Sequence, residues 1–310
     1  MIRHLKKLIL GNIVILIAMA LVLVWVSCPL SEVFRDSLGR EVELKKVPER
    51  IVSLAPNITE ILYFLGLNDR VVGVTRFSDY PPEAANKPKV GSYIDLNVEK
   101  IIDLSPDLVI GTVSGNEAGV IAMLDQVGIE SFIIDARDIS GVIENIAMVG
   151  RLCGIPEKAE SLTAGLKSRM ARVLEKTISR EKPLVLLQIN LRPIMTLNRD
   201  SFLHDLIRLA GGDNISADNA IRYPTISIEE VINKRPDIII ISSMERGGRF
   251  EEARQEWLLW KSIPAVKNNR VHLIDSDLID RPSPRIVDGL EAMARIIHPE
   301  VDWEDVFNEK

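Results

Sequence analysis

The chain has 310 residues, of which 46% are hydrophobic, 26% charged and only 5% aromatic. This composition excludes disorder, collagen-like repeats and a disulfide scaffold, and the length suits two lobes of roughly 100 to 150 residues each. A net charge of −6 argues against a nucleic-acid reader, which gains its affinity by neutralising phosphates. Two cysteines, Cys28 and Cys153, and four scattered histidines leave little material for a metal cluster. No nucleic-acid partner, no metal site and no permanently bound cofactor are therefore expected.

Arg3, Lys6 and Lys7 precede an apolar run from Leu8 to Val26, broken only by Gly11 and Asn12. A basic head before a hydrophobic stretch is read by the export machinery, with the basic end kept in the cytoplasm. The run exceeds the usual signal core of about 7–15 residues and approaches the span of a bilayer. Three outcomes stay open. Residues 1–28 read as a signal peptide or membrane anchor: the leader is cut before Cys28, which takes a lipid; or the helix is retained as an anchor; or a plain signal peptide is removed. Ser27 before the cysteine suits lipidation, whereas Trp25 is a poor match where a bacterial lipobox usually has Leu. All three place the rest of the chain outside the inner membrane. Without the three basic residues of 1–27 the remainder carries −9, a strongly anionic and soluble body.

Residues 29–49 read as a linker and lead-in. From Arg50 onward, short β-branched runs alternate with amphipathic stretches. Ile51–Leu54 predicts a strand, and Thr59–Leu65 a helix that Thr59 caps and Gly66 ends. Val71–Val74 is the next strand and Asn97–Leu104 the next helix. Asp107–Ile110 is a strand entered through Pro106, Gly115–Val127 a helix, and Phe132–Ile134 a strand. Such alternation predicts parallel sheet covered on both faces. Residues 156–179 then carry apolar side chains at spacings of three and four, with Pro156 in the first turn. A helix of this length, on the order of 35 Å at 1.5 Å per residue, reads as a strut between lobes. Pro183 opens a second strand–helix series with Leu184–Leu187. Trp257 and Trp260 fall three apart in a helix predicted over Glu251–Ile263, as core residues.

A repeat supports two lobes. Residues 98–110 align without a gap on residues 228–240, with Glu, Pro and Asp coinciding and the apolar positions matching in character. A looser echo pairs residues 60–68 with 205–213. Glu99 and Glu229 then sit at equivalent places near helix starts, where the dipole favours a carboxylate. Singly, each reads as an ordinary capping acid. As a symmetric pair they offer two anionic pegs to a two-fold partner with basic sockets. No phosphate loop, dinucleotide fingerprint, nucleophile elbow or zinc-protease motif occurs, so a bilobal exported protein is expected to bind something between its lobes.

Residues 50–60 (RIVSLAPNITE), 77–83 (FSDYPPE), 97–101 (NVEKI), 104–110 (LSPDLVI) and 283–286 (SPRI) resemble the iron-siderophore/cobalamin family of periplasmic substrate-binding proteins of ABC importers, most closely its cobalamin-binding branch. The likeness runs from about Arg50 to Ile297. It implies a class III, helical-backbone metal-receptor type of fold: two Rossmann-like α/β lobes joined by a single long rigid helix, and only small hinge closure. On this plan residues 50–304 form the binding domain, with lobe 1 at 50–152, the bridging helix at 156–179 and lobe 2 at 183–304.

The resemblance also implies roles. Glu99 and Glu229 fall where the family docks on arginines of the two transmembrane subunits of a permease, which works with ATPase subunits. Phe77, Tyr93 and Tyr223 fall at cleft positions, and their rings suit the apolar rim of a corrin. The cobalamin-binding branch has tryptophans where this chain has Tyr93 and Tyr223, so stacking area is smaller. Asp277 and Arg281, four apart, match an acid–base pair that bonds the corrinoid, and otherwise read as a surface salt bridge. Arg285 serves an anionic ligand or caps the Pro284 turn. Asp79 and Tyr80 read as turn-shaping residues. The expected protein is a monomeric, non-enzymatic carrier of cobalamin or a related corrinoid. Ferric siderophore or haem are the nearest alternatives: Arg76, Arg192, Arg222, Arg281 and Arg285 supply cations for the first, and Tyr93 or Tyr223 an axial ligand for the second. A metal-dependent extracytoplasmic enzyme built on His272, Asp275, Asp277 and Asp280 and a tethered sensor domain are the distant rivals.

Overall fold

The structure, a computed structural model, describes residues 32–113, 115, 118–242 and 250–307. The leader and the lipidation candidate Cys28 lie outside the described residues. In chain order, a hairpin of β1 (Glu32–Arg35) and β2 (Glu41–Leu44) comes first. The first lobe follows as β3 (Ile51–Ser53), α1 (Pro56–Phe64), β4 (Val71–Gly73), α2 (Val98–Asp103), β5 (Leu108–Thr112), α3 (Ala118–Gln126), β6 (Ser131–Ile134) and α4 (Ile139–Leu152). The strut is α5 (Pro156–Thr177). The second lobe contains β7 (Leu184–Gln188), α6 (Phe202–Leu209), β8 (Asp213–Asn214), α7 (Ile228–Lys234), β9 (Ile238–Ile241), α8 (Phe250–Leu258), α9 (Pro264–Lys267), β10 (Val271–Leu273), α10 (Ser276–Ile279), α11 (Ile286–Ile297) and α12 (Glu304–Phe307).

Both sheets are parallel and have the same design. Their spatial orders are β4-β3-β5-β6 and β8-β7-β9-β10, with the first strand of each lobe paired to its second and third. All four isoleucines of β9 are buried, as a strand covered on both faces requires. Ile238 and Ile240 join one core and Ile239 and Ile241 another, following the alternation of side chains along a strand. The core that holds Ile238 also includes Ile51, Leu108 and Phe132 of the first sheet and Leu166 and Val173 of the strut. One continuous apolar interior therefore runs from sheet to sheet through α5.

The repeated residues have local tasks that explain why they recur. Ser105 and Arg235 occupy the left-handed region, at φ 45° and 54°, one residue before Pro106 and Pro236. The Asp107 carboxylate accepts from the Glu49 and Arg50 N–H groups at 3.0 Å, and that of Asp237 accepts from Leu184 N–H at 2.8 Å. Each aspartate thus ties the third strand of its lobe to the start of the first. In the looser echo, Gly66 and Gly211 both have positive φ and both lie just past a helix.

The strut is fastened at both ends. Gly150 of α4 lies against Ala159 of α5 so closely that a β-carbon would collide. At the other lobe, Arg169 forks onto Glu291 at 2.8 Å and reaches Asp288 at 2.5 Å, both on α11. Three expectations need correction. Helix α1 begins at Pro56, so Thr59 is an interior residue rather than its cap. The helix predicted over 251–263 ends at Leu258, and a separate turn of helix follows at Pro264. Trp257 is buried and donates to Gln188 Oε1 at 2.7 Å, whereas Trp260, past the helix end, is over a third exposed and is not a core residue.

Candidate ligand cleft

The helix that opens the first lobe has residues 57 to 62 buried without a break, and one of them is Glu60. Its carboxylate, 2% exposed, accepts hydrogen bonds from the opposite lobe through residues between α10 and α11. Arg285 binds it in a two-pronged fork, Nε to Oε2 at 2.9 Å and Nη2 to Oε1 at 2.7 Å. Ser283 Oγ donates to Oε2 at 2.6 Å, and Arg281 Nη1 to Oε1 at 3.0 Å. A carboxylate so far from water is tolerable only with such partners. Burial lowers the pKa of Arg285, but its bonds and attraction to Glu60 outweigh that and leave the pKa raised. Arg281 continues the bridge to Asp79 at 3.3 Å and to Asp277 at 3.4 Å. The Tyr80 ring covers the Arg285 guanidinium at 3.8 Å to its centroid. Asn57 Nδ2 adds a long bond of 3.5 Å to Pro282 O.

A buried hydroxyl relay holds the loop that carries these residues. Thr59 Oγ1 lies 2.8 Å from Ser53 Oγ and donates to Ser78 Oγ at 3.0 Å, and Ser78 lies 2.9 Å from Thr75 Oγ1. Strand β3, helix α1 and the 75–80 loop are joined by it, so Phe77, Asp79 and Tyr80 are presented from a fixed base. Arg76 N–H bonds Gly91 O at 2.8 Å and couples this loop to the one bearing Tyr93.

Phe77 is 51% exposed and Tyr223 38% exposed, and Tyr93 is half-buried. The Tyr93 ring lies on Gly115, where any side chain would collide with it. Burial raises the pKa of the Tyr93 hydroxyl, and Asp135 and then Tyr223 raise it further. Tyr223 belongs to the other lobe, so the two phenols sit within electrostatic reach across the gap. Arg222 lies 5.6 Å from the Tyr223 ring centroid. Ile94 and Ile221, one and two residues from these tyrosines in the sequence, are also exposed; nothing in their sequence context singles them out. An open groove of about 690 Å³ on the flank of lobe 1, lined by Arg35, Phe132 and Met148 among others, contains none of these residues.

Of the predicted site residues, Asp277, Arg281 and Arg285 come together with Glu60, Asp79 and Tyr80, and Tyr93 comes near Tyr223. Arg285 occupies the N-cap position of α11 without a side-chain cap bond, because both its prongs are on Glu60. Asp277 keeps a partly exposed carboxylate beside Arg281. Glu99 and Glu229 are exposed in the first turns of α2 and α7, whose caps are the Asn97 and Ser227 side chains. Hydrogen bonds from its own backbone and from Ser227 hold the Glu229 carboxyl below its usual range. His272 is half-buried in β10, Asp275 caps α10, and Asp280 is bound by Ser242 Oγ. Among the described residues no three His, Cys, Asp or Glu side chains are grouped to hold a metal ion.

Residues 51–278 match the family described as periplasmic binding protein. The chain belongs to that family. An uncharacterized ABC transporter substrate-binding lipoprotein of Bacillus subtilis is 35% identical over 272 residues, 86% of this chain and 85% of the relative. The crystal structure of a periplasmic vitamin B12 binding protein of Vibrio cholerae superposes with a TM-score of 0.73 at 32% identity, covering 82% of this chain and 98% of that one. A periplasmic heme-binding protein from Roseiflexus, without ligand, superposes with a TM-score of 0.70 at 28% identity, over 81% and 98%. The family is one of binding proteins rather than enzymes, and its two-lobed α/β architecture is the one expected.

Proposed function

We propose that this chain is the extracytoplasmic substrate-binding component of an ABC importer and that it carries cobalamin or a related corrinoid between its lobes. The observation that carries this reading is that exposed or half-buried rings come from both lobes, Phe77 and Tyr93 from the first and Tyr223 from the second, with the two tyrosines within electrostatic reach of each other, while Glu60, Arg281 and Arg285 join the same two lobes through hydrogen bonds. A corrin presents a broad apolar edge and a fringe of amides, and this pairing of rings with carboxylates and guanidiniums suits both. The likeness to a vitamin B12 binding protein over most of the chain supports the same choice.

Glu99 and Glu229 serve, on this reading, as matched contacts for arginines on a permease dimer that works with ATPase subunits. They are exposed, so each is expected to orient the complex and speed encounter rather than to supply much affinity. Cys28 is the proposed lipid attachment site, in keeping with a relative named as a lipoprotein. A mass spectrum of the mature N-terminus distinguishes a lipidated Cys28 from a retained leader helix.

The deciding experiment is a calorimetric titration with cyanocobalamin, with haem and a ferric chelate as competitors. Micromolar or tighter corrinoid binding, reduced by replacing Tyr93 or Tyr223 with Ala, supports the proposal. Absence of corrinoid binding alongside tight haem binding would transfer the site to haem, for which the Tyr93 and Tyr223 hydroxyls are suitable axial ligands to ferric iron.

A further inference from the structure

The arginines that would attract an anionic ligand are already engaged by acids of the protein. Arg281 and Arg285 stand against Glu60, Asp79 and Asp277, and the third cation of the group, Lys89, is close enough to Asp79 for their charges to interact. Lys89 Nζ itself donates to the Ser78 and Ala84 carbonyls at 3.4 and 3.3 Å. Three cations thus face three carboxylates, and the most enclosed member is Glu60. It arrives from the opposite lobe, so the neutralisation exists only when the lobes are held as they are. Asp280, beside Arg281, is bound by Ser242 at 3.2 Å and adds no positive charge.

We propose that Glu60 is a specificity-determining residue: by consuming the hydrogen-bonding capacity of Arg281 and Arg285 it leaves the cleft floor without net positive charge, so the site takes bulky ligands without net negative charge and rejects polyanionic metal chelates. The proposal rests on the cleft assigned above but not on the ligand being a corrinoid. The physical reason is differential: an anion approaching Arg281 and Arg285 also approaches Asp79, Asp277 and the buried Glu60 that are paired with them, and must lose its water as well. Arg76 and Arg222 are exposed outside this group, and solvated cations of that kind contribute little individually.

The test uses the full chain purified in detergent and three probes: cyanocobalamin, an uncharged ferric trihydroxamate and a trianionic ferric tris-catecholate. The wild type should favour its better uncharged probe over the trianion by about a hundredfold or more, and Glu60→Gln should move that ratio toward the trianion by at least about tenfold. Where Glu60→Gln fails to fold, the double variant Asp79→Asn/Asp277→Asn frees the outer side of Arg281 at partly exposed positions and should move the ratio the same way. A wild type that binds the trianion as tightly as the uncharged probes overturns the proposal, as does an unchanged ratio in the variants. If the hydroxamate binds and cyanocobalamin does not, the corrinoid reading fails while the charge rule stands. If no probe binds the wild type, trianion binding gained by the variants supports the rule and its absence there overturns it.

Discussion

Glu60 in the first lobe and Asp205 in the second are matching acids, each on the helix that follows its lobe's first strand, and each reaches across to the other lobe. Their reach ends differently. Asp205 Oδ2 accepts from Ile139 N–H at 3.2 Å, at the opening of α4, while its other oxygen meets Arg208 on its own helix. Glu60 accepts from two arginines and a serine and is far more deeply enclosed. One acid meets a helix end and a surface arginine, and the other joins the lobes at the cleft proposed to hold the ligand. The plan of the two halves is shared, and they diverge where the cleft is. Rigidity has the same origin, since the strut shares one apolar core with both sheets and α11 holds it through Arg169.

The largest expected effect tests the symmetry itself. If Glu99 and Glu229 are equivalent pegs, Glu99→Lys and Glu229→Lys together should abolish uptake through a reconstituted importer, leaving ligand affinity within about twofold of wild type, because exposed charges outside the cleft add little to it. Either single reversal should depress uptake to a similar degree. Transport that survives the double reversal, or depends on one glutamate only, removes the paired-contact assignment.

The contrast between the two cross-lobe acids predicts a stability gap. Glu60→Ala strips the poorly solvated Arg285 and the inner side of Arg281 of their carboxylate and should cost about 3–5 kcal/mol, against roughly 1 kcal/mol for Asp205→Ala, which removes one backbone hydrogen bond and an ion pair to the exposed Arg208. Urea unfolding of the two variants measures this directly. Equal losses would mean that the Glu60 network is no more than a surface ion pair.

The second lobe also brings a titrating acid beside the floor. Burial pushes Asp280 up to about 7, opposed by its bond from Ser242. A carboxyl raised in the folded state holds its proton where the unfolded chain has released it. Its stabilising contribution is therefore fully present below the ordinary 3.8 and fades as pH rises through about 7. Relative to Asp280→Asn, the wild type should lose up to about 4 kcal/mol between pH 4 and pH 8. A pH-independent difference between the two denaturation curves would show that Asp280 titrates normally.

The two-lobed plan was readable because its repeated residues act close to home. Pro106 and Pro236 end a helix, and Asp107 and Asp237 seize backbone N–H groups of the neighbouring strand, so their identities leave a pattern at constant offset. The strut was readable from its periodicity, its opening proline and its length and position between the two strand–helix series. Glu60 was not, because its partners are 221 to 225 residues away and become neighbours only when the lobes assemble. Asp79 and Tyr80 looked like turn residues before Pro81, and their second task, facing Arg281 and Arg285, has no local signature. Thr59 was misplaced for the opposite reason: a threonine before an apolar run resembles a cap, but Pro56 had already begun the helix and the hydroxyl turned inward to Ser53 and Ser78.

The smallest effect separates the two tyrosines. Tyr223 is more than a third exposed, with room for a wider ring, whereas Tyr93 is packed against Gly115. Tyr223→Trp should therefore gain stacking area and tighten cyanocobalamin binding by about twofold, or ~0.5 kcal/mol. Tyr93→Trp has to displace the Gly115 backbone or turn out of its seat, so it should bind no better than wild type and melt lower. The titrations are informative as a pair. An equal gain from both would mean that the Gly115 contact does not fix the Tyr93 ring, and the first lobe's aromatic wall would then be as adaptable as the second's.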